Sequence, residues 1–400
     1  MLIPIRYALH GERGLKLNCT SNTFDRLTTA FIQDAPAFCR AGREDNMSYE
    51  TLAREKAEAL RRAGHARILA VESSCDETAM AVVEDGRVLK SSVIASQIDM
   101  HALYGGVVPE IASRMHVDAL DPLLDQALEQ GGYTMEDVDA VGVTFGPGLV
   151  GALLTGVAWA KAFAYARRLP LIPVNHIEGH VSANYIASPD LTPPFVCLVA
   201  SGGHSHIVRV DDYGEYTILG GTTDDAAGEA FDKVARVLDI PYPGGPLLDK
   251  LAEGGDDHAY VFPKVVTHGA YDFSFSGLKT AVINQAHKLR QQGEEINAAN
   301  FAASFRRAVV DSLAEKTVRA CRDAGLKKVA LAGGVASNRL LRREMQRRGE
   351  KAGLTVFMPP AILCTDNAAM IGSAAFYQLM RGHVADLTLN AVPSLGLIAE

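Results

Sequence analysis

The sequence predicts a two-domain α/β protein built from a duplicated unit, with a cleft between its halves. Three observations predict this. Four hundred residues are more than one compact core ordinarily holds. A pattern of hairpin and strand, followed later by a strand, a Gly-rich turn and a helix, occurs twice, which implies an internal duplication. The Gly-rich turns also fall at strand ends, where α/β proteins bind ligands.

Residues 1–66 read as an extension of different character. Segment 1–46 has no sustained period and yields no fold. From Ser48 to Arg62, good helix formers and i,i+4 charges predict an exposed helix, and Met47 is an alternative start. The first domain, 67–194, opens with Ile68–Glu72 as a buried strand and SSCDET as a turn. Ala79–Glu84 follows as a strand, EDGR as a hairpin turn and Val88–Val93 as a third strand. A helix over Pro109–Gln130 leads to a strand at Ala140–Thr144, the turn FGPG and a buried helix over Leu149–Arg167. In the second domain, 195–400, strands at Phe195–Ala200, Ser205–Val210 and Tyr216–Gly220 are joined by SGGH and DDYGE. A mainly helical insertion spans about 225–320. The strand Lys328–Ala332, the turn GGVASN and the helix Arg339–Glu350 then repeat the grammar of the first half.

Composition narrows the function. Hydrophobic residues at 48% and charged residues at 22% are ordinary for a globular protein. A net charge of −8 means that any RNA binding needs a local basic patch. The six cysteines are scattered without a C-x-x-C pair, which argues against a thiolate zinc site or a disulfide framework and predicts reduced thiols in the cytoplasm. The start, MLIPIRYALHGERG, lacks the apolar core of a signal peptide. The longest apolar run, 149–160, is too short to span a bilayer, so no membrane role is expected.

His176 and His180, in HIEGH, sit four apart on one helical face, where both imidazoles can reach one metal ion. Alone, that spacing fits a packing or surface pair as well. Its company gives it weight: the Gly-rich VASGGH, an acidic Thr365-Asp366-Asn367 ahead of a helix, and the acidic pair Asp76-Glu77 in the first hairpin turn. Asp366 is equally a helix N-cap, and Asp76-Glu77 equally a solvated turn. The helix after Asn338 carries Arg339, Arg342, Arg343, Arg347, Arg348 and Lys351, and Arg306 with Arg307 adds a pair. These suit either RNA phosphates or a solvated face.

VESSCDET, GGVVPEIASR, GPGLVGAL, NHIEGH, SGGHSHI, DDAAGEAFDKVARVL, YPGGP, FSFSGLKTA, GGVASN and CTDNAAMIG occur in that order. Over about 67–397 the chain resembles the tRNA threonylcarbamoyladenosine transferases, TsaD-type proteins once called O-sialoglycoprotein endopeptidases. The resemblance implies an actin, Hsp70 and sugar-kinase type of fold. It implies transfer of a threonylcarbamoyl group from threonylcarbamoyl-AMP to N6 of the adenosine 3′ of the anticodon, in tRNAs reading codons that begin with A. By the same resemblance, His176, His180 and Asp366 hold one divalent metal, for which iron is the family's usual assignment and zinc fits the residues equally. Val199, Ala200, Ser201, Gly202, Gly203, Asp232, Gly245, Asp249 and Asn338 match the family's ligand contacts, for the adenylate or for ATP and ADP. Some members carry a tyrosine that joins the metal, where this chain has Val199. Asp76 and Glu77 are candidates for taking the N6 proton or positioning the amine. Expected partners are tRNA, a TsaB-like paralogue, a TsaE-like ATPase and an upstream threonylcarbamoyl-AMP synthase.

Three other readings are weighed against this. An ATPase or small-molecule kinase of the same fold would need Mg²⁺ held by carboxylates and phosphates rather than imidazoles. A metalloprotease needs H-E-x-x-H, whereas Glu178 lies about 200° round the helix from His176. A silent scaffold subunit would have no need of His176, His180 and Asp366 together.

Overall fold

The structure, a computed structural model, describes residues 47–263 and 267–398. The segment 1–46, for which the sequence yields no fold, lies outside the described residues. Helix α1 (Tyr49–Ala63) starts where the Ser48 hydroxyl accepts from the Thr51 amide and ends at left-handed Gly64. It is not the fully exposed helix expected. Tyr49, Ala53 and Ala57 share one face at i, i+4 and i+8, and that face is buried. The Tyr49 hydroxyl donates to Leu169 O at 2.9 Å, and Arg61 Nε donates to Met380 O.

The duplication appears as two five-stranded sheets of equivalent strand order. The first runs β3-β2-β1-β4-β5, from β1 (Arg67–Glu72), β2 (Glu77–Glu84), β3 (Val88–Ser96), β4 (Ala140–Gly146) and β5 (Leu171–Asn175). The second runs β10-β9-β6-β7-β8, from β6 (Phe195–Ala200), β7 (Ser205–Asp212), β8 (Glu215–Gly221), β9 (Lys328–Ala332) and β10 (Thr355–Phe357). In each, a tight antiparallel meander supplies three strands, and two parallel strands follow through helical crossovers. The pattern does not predict β5 or β10. Pro173 interrupts β5, which only an edge strand tolerates, and β10 has three residues.

A short helix, α2 (Ile98–Ala102), follows β3. Strand alternation sorts side chains into separate cores. From β1, Leu69 and Val71 pack outward beneath α3 (Pro109–Gly131) and α4 (Val150–Arg167), while Ile68 and Ala70 face inward. From β6, Cys197 and Val199 face inward, and Val196, Leu198 and Ala200 face the outer helices. Those outer helices include the expected insertion: α6 (Ala227–Val237), α7 (Gly244–Ala252), α8 (Ser276–Gln291) and α9 (Ala298–Asp323), with α10 (Arg339–Lys351) beside them. Between the sheets lie α5 (His176–Ala187) and α12 (Ala368–Met380), which is preceded by the short α11 (Ala361–Cys364). Residues 176–185 are buried without exception, because a sheet covers each side of α5. The two helices touch closely at Gly179, where a Cβ would stand 2.7 Å from Ile371 Cδ1.

The chain then returns to the first sheet. Ala385 bridges Leu171, the Val392 amide donates to Phe145 O, and Asn175 Nδ2 donates to Gly396 O. A division at 194/195 therefore separates the sheets, but α12 and the tail after it pack on the first one.

Glu344 of α10 is almost fully buried at the seam with α9. Burial opposes its charge, but hydrogen bonds from Arg347, Arg348 and Arg307 outweigh that and hold the carboxyl at about 2. Its folded pKa lies below the ordinary value of 4.5, so its contribution is complete above 4.5 and is lost as pH falls toward about 2. Urea unfolding of wild type should show this loss, on the order of 2–3 kcal/mol, and E344Q should flatten it.

Candidate functional site

Strand β5 runs directly into α5, whose first turn is capped by Asn175: its side-chain oxygen accepts from the Ile177 amide at 2.8 Å. His176 and His180 therefore stand one turn apart on a face covered by both sheets. Their ring centroids are 4.7 Å apart and nearly perpendicular. Asp366 arrives from the link between α11 and α12. The N-cap of α12 is Asn367, which accepts from the Met370 amide, so Asp366 keeps its carboxylate for other use. Its Oδ1 lies 3.5 Å from His176 Nε2 and 3.3 Å from His180 Nε2.

These three donor atoms lie within 4.8 Å of one another, close enough for a single ion. His180 supplies the test of fit. It is fully buried, its Nε2 faces Asp366 at 3.3 Å, and neither ring nitrogen has a hydrogen-bond partner among the described residues. Such an orphan imidazole is expensive unless something binds it. His176 is oriented from behind: its Nδ1 is 3.1 Å from Glu72 Oε2 and 3.1 Å from Ser74 Oγ, which leaves Nε2 facing the trio. Glu72, fully buried, also accepts from the Ser74 amide and the Thr144 hydroxyl. Burial disfavours a charged His176, but the Asp366 and Glu72 carboxylates outweigh it and lift the ring to about 9. Burial likewise works against the Asp366 charge, and the two imidazoles overcome it, holding that carboxyl well below its usual range. The point between them favours a cation. Two imidazoles and one carboxylate fit iron or zinc with coordination positions left open.

The acidic pair lies beside this centre. Asp76 ends the turn and is buried; Glu77 begins β2. The turn is held by His116, whose Nε2 is 2.9 Å from Cys75 O and whose Nδ1 is 2.7 Å from Thr78 Oγ1. Burial first, then the charges of Asp76 and Asp366, push the Glu77 carboxyl well above the carboxylate range. Asp76 Oδ2 accepts from the Tyr242 hydroxyl at 3.1 Å. Tyr242 belongs to the second half, so this bond crosses the cleft. Sequence reasoning missed it; its only signal was an aromatic residue opening the YPGGP turn.

The second half supplies the opposite wall. After β6, the Ser201 amide donates to His204 O, and the Ser201 hydroxyl accepts from the His204 amide. Gly202 and Gly203 are exposed, and nothing stands within 4 Å of where their Cβ atoms would be. Val199 and Ala200 are fully buried and present no surface to a ligand. Asp232 Oδ1 accepts from the Gly245 amide at 2.8 Å. Asp249 Oδ1 accepts from Asn338 Nδ2 at 2.7 Å, while Asn338 Oδ1 caps α10. The candidate contacts of the insertion and of the GGVASN turn thus form connected pairs.

Comparison with known proteins decides what this arrangement belongs to. Residues 88–373 match the family model of TsaD, the tRNA N6-adenosine threonylcarbamoyltransferase. The tRNA N6-adenosine threonylcarbamoyltransferase of Clostridium novyi (strain NT) is 58% identical over 333 residues, 83% of this chain and 98% of that protein. The enzyme of the same name from Clostridium perfringens (strain 13 / Type A) is 56% identical over 331 residues, 82% of this chain and 98% of its own length. The chain belongs to the TsaD family. It is a transferase that modifies the N6 of adenosine in tRNA, in threonylcarbamoyladenosine synthesis. Among solved structures, HypF of T. kodakarensis shares the fold with a TM-score of 0.55 at 15% identity, over 79% of this chain and 48% of that one. That likeness bears on the fold alone.

Within this family the protease reading has no support from Glu178. Its carboxylate accepts from Tyr216 and Gln378 rather than facing the histidines. The basic residues divide in two. Arg306 is buried on Asp249 and Glu253; Arg307 pairs with Asp257 and Glu344; Arg347 and Arg348 pair with Glu344; Arg342 donates to Ala336 O and Pro359 O. Of the eight, only Arg339, Arg343 and Lys351 are exposed without a partner among the described residues. The expected basic surface is therefore smaller than its sequence suggests. Among the described residues, no helix is long and apolar enough to cross a membrane.

Proposed function

We propose that the histidine–aspartate trio, the acidic turn and the Gly-rich wall form one site. There the threonylcarbamoyl group of threonylcarbamoyl-AMP passes to N6 of the adenosine 3′ of the anticodon, in tRNAs reading codons that begin with A. A bond forms from N6 to the carbamoyl carbon, the bond from that carbon to the phosphate oxygen breaks, and AMP leaves while N6 gives up a proton. The observation that carries this reading is the buried, unpartnered His180 facing Asp366 and His176 where both halves meet. A divalent ion held by these three residues would supply Lewis-acid polarisation of the carbamoyl oxygen; iron is our assignment, with zinc fitting the same donors. ATP or ADP would occupy the same nucleotide wall.

The chain's own residues divide the remaining work. Exposed Gly202 and Gly203 let backbone amides approach the phosphate closely. Asp232 and Asp249 each keep an oxygen for ribose hydroxyls. Asp76, held by Tyr242, accepts the N6 proton or orients the amine, while Glu77, whose carboxyl burial and then the Asp76 and Asp366 charges push upward, lies next to it. D76A and E77A, assayed by turnover and by AMP titration, should lose about 10²–10⁴-fold in turnover with much less change in binding. Unchanged turnover would remove them from the mechanism.

For tRNA, Arg339 and Arg343 stand one turn apart beside Asn338, and both are exposed. Changing both to alanine should weaken tRNA binding across sequences and reduce the salt slope by about 1–2, measured by filter binding over a salt series. A TsaB-like paralogue has a candidate surface on α3 and α4, which present Val117, Val150 and Leu154 to solvent near the close contact of Ser113 with Gly151. A TsaE-like ATPase and an upstream threonylcarbamoyl-AMP synthase complete the set. The tRNA substrate and the free thiols of Cys75, Cys197, Cys321 and Cys364 support a cytoplasmic location.

A further inference from the structure

We propose that Arg306 is a positioning residue for this reaction: it clamps Asp249 so that one carboxylate oxygen is fixed and the other is offered to the nucleotide. The proposal rests on the reading of Asp249 and Asn338 as nucleotide contacts.

Arg306 lies inside α9, on the side packed against α7, and is 6% exposed. A guanidinium in such a place needs its donors used; the Arg306 Nε is buried without a partner among the described residues, but both Nη groups are engaged. Its Nη1 donates to Asp249 Oδ1 at 2.9 Å, to Asp249 O at 3.1 Å and to Glu253 Oε1 at 2.8 Å; its Nη2 donates to Ala252 O at 3.1 Å. Three of these four bonds fix the side chain and backbone of residue 249 or hold the carboxylate one turn on, at the C-cap of α7.

The clamp is one-sided. Asp249 Oδ1 takes both Arg306 and Asn338 Nδ2, whereas Oδ2 has no partner among the described residues. The Asp249 side chain is 21% exposed, so its free oxygen is on the open side of the pair. Asn338 is fixed in turn, because its Oδ1 caps α10 and its amide nitrogen has Asp249 to face. Arg306 thus sets Asp249, and Asp249 sets Asn338, at the point where α7, α9 and the start of α10 meet. A planar fork fixes such a pair; a lysine ammonium would give the charge without the geometry.

The test uses the full-length, metal-loaded protein, with AMP as the probe in titration calorimetry and KM and kcat measured separately. R306M should weaken AMP binding about 10-fold or more and raise the KM for the adenylate more than it lowers kcat. R306K should fall between R306M and wild type. If R306M does not fold, R306K alone decides. AMP affinity and KM equal to wild type in R306K, and in R306M where it folds, would reduce Arg306 to a structural ion pair and overturn the proposal. D249N separates the two levels. Normal AMP binding by D249N overturns the nucleotide reading, and this proposal with it. Weak binding by D249N beside normal binding by R306K overturns the proposal alone.

Discussion

Alanine in place of His180 is expected to strip the protein of its divalent metal and to lower threonylcarbamoyl transfer by about a thousandfold or more. The single change is the sharpest form of the test. His180 faces Asp366 at 3.3 Å, and Asp366 keeps His176 at 3.5 Å, so removing His180 leaves no protein group without a partner. The fold should lose on the order of 1–2 kcal/mol for the small cavity and no more. His176 is different. Its Nδ1 faces Glu72, which is fully buried, so H176A also takes an imidazole from a buried carboxylate and should destabilise the protein more than H180A does. E72Q should leave all three donors in place yet reduce metal affinity about 10–100-fold, through lost orientation of His176. Metal stoichiometry, melting temperature and turnover on the same samples separate these effects. A folded H180A that keeps both metal and activity would demote the histidines to packing.

The second large effect is expected at Gly333, the first glycine of GGVASN. Its φ is +86°, which a side chain rarely adopts, and an added Cβ would stand 2.4 Å from Ala200 O and 2.7 Å from Ala200 C. Those are backbone atoms at the end of β6, in the middle of the second sheet, and neither can rotate aside. G333A must therefore separate the two Gly-rich turns. It should cost about 3 kcal/mol of stability and abolish AMP binding, read by urea denaturation and titration calorimetry. G202A provides the contrast. Its Cβ meets nothing within 4 Å, so stability should stay near wild type while binding weakens where the ligand approaches. Equal behaviour of the two variants would mean that the turns do not act as one wall.

Much of this architecture was legible in the sequence, for physical reasons. The meander strands are short apolar runs bounded by Gly, Asp and Ser turns, so the hairpins stand out, and equivalent strand order in both sheets follows from that repetition. The helices between the sheets were less legible. α5 and α12 are covered on all sides, so they lack the polar face that gives a helix its period. Adjacent Asp366 and Asn367 are both good N-caps, and only the structure gives the cap to Asn367 and frees Asp366. Tyr242 reaches Asp76 from 166 positions away, a pairing that no local pattern encodes. The basic run on α10 misleads for a similar reason. Glu344, within the run, is one counter-ion and Asp311 of α9 another, so charges that read as surface are spent in the seam with α9.

The most direct test is chemical identification of the product. Purified protein with its native metal, unmodified tRNA and the presumed partner proteins would be supplied with threonylcarbamoyl-AMP generated in place. The tRNA would then be digested to nucleosides for mass spectrometry, with AMP measured alongside. The account predicts N6-threonylcarbamoyladenosine, formed in step with AMP, in tRNAs that read codons beginning with A. Unmodified tRNA beside accumulated, intact adenylate would contradict it.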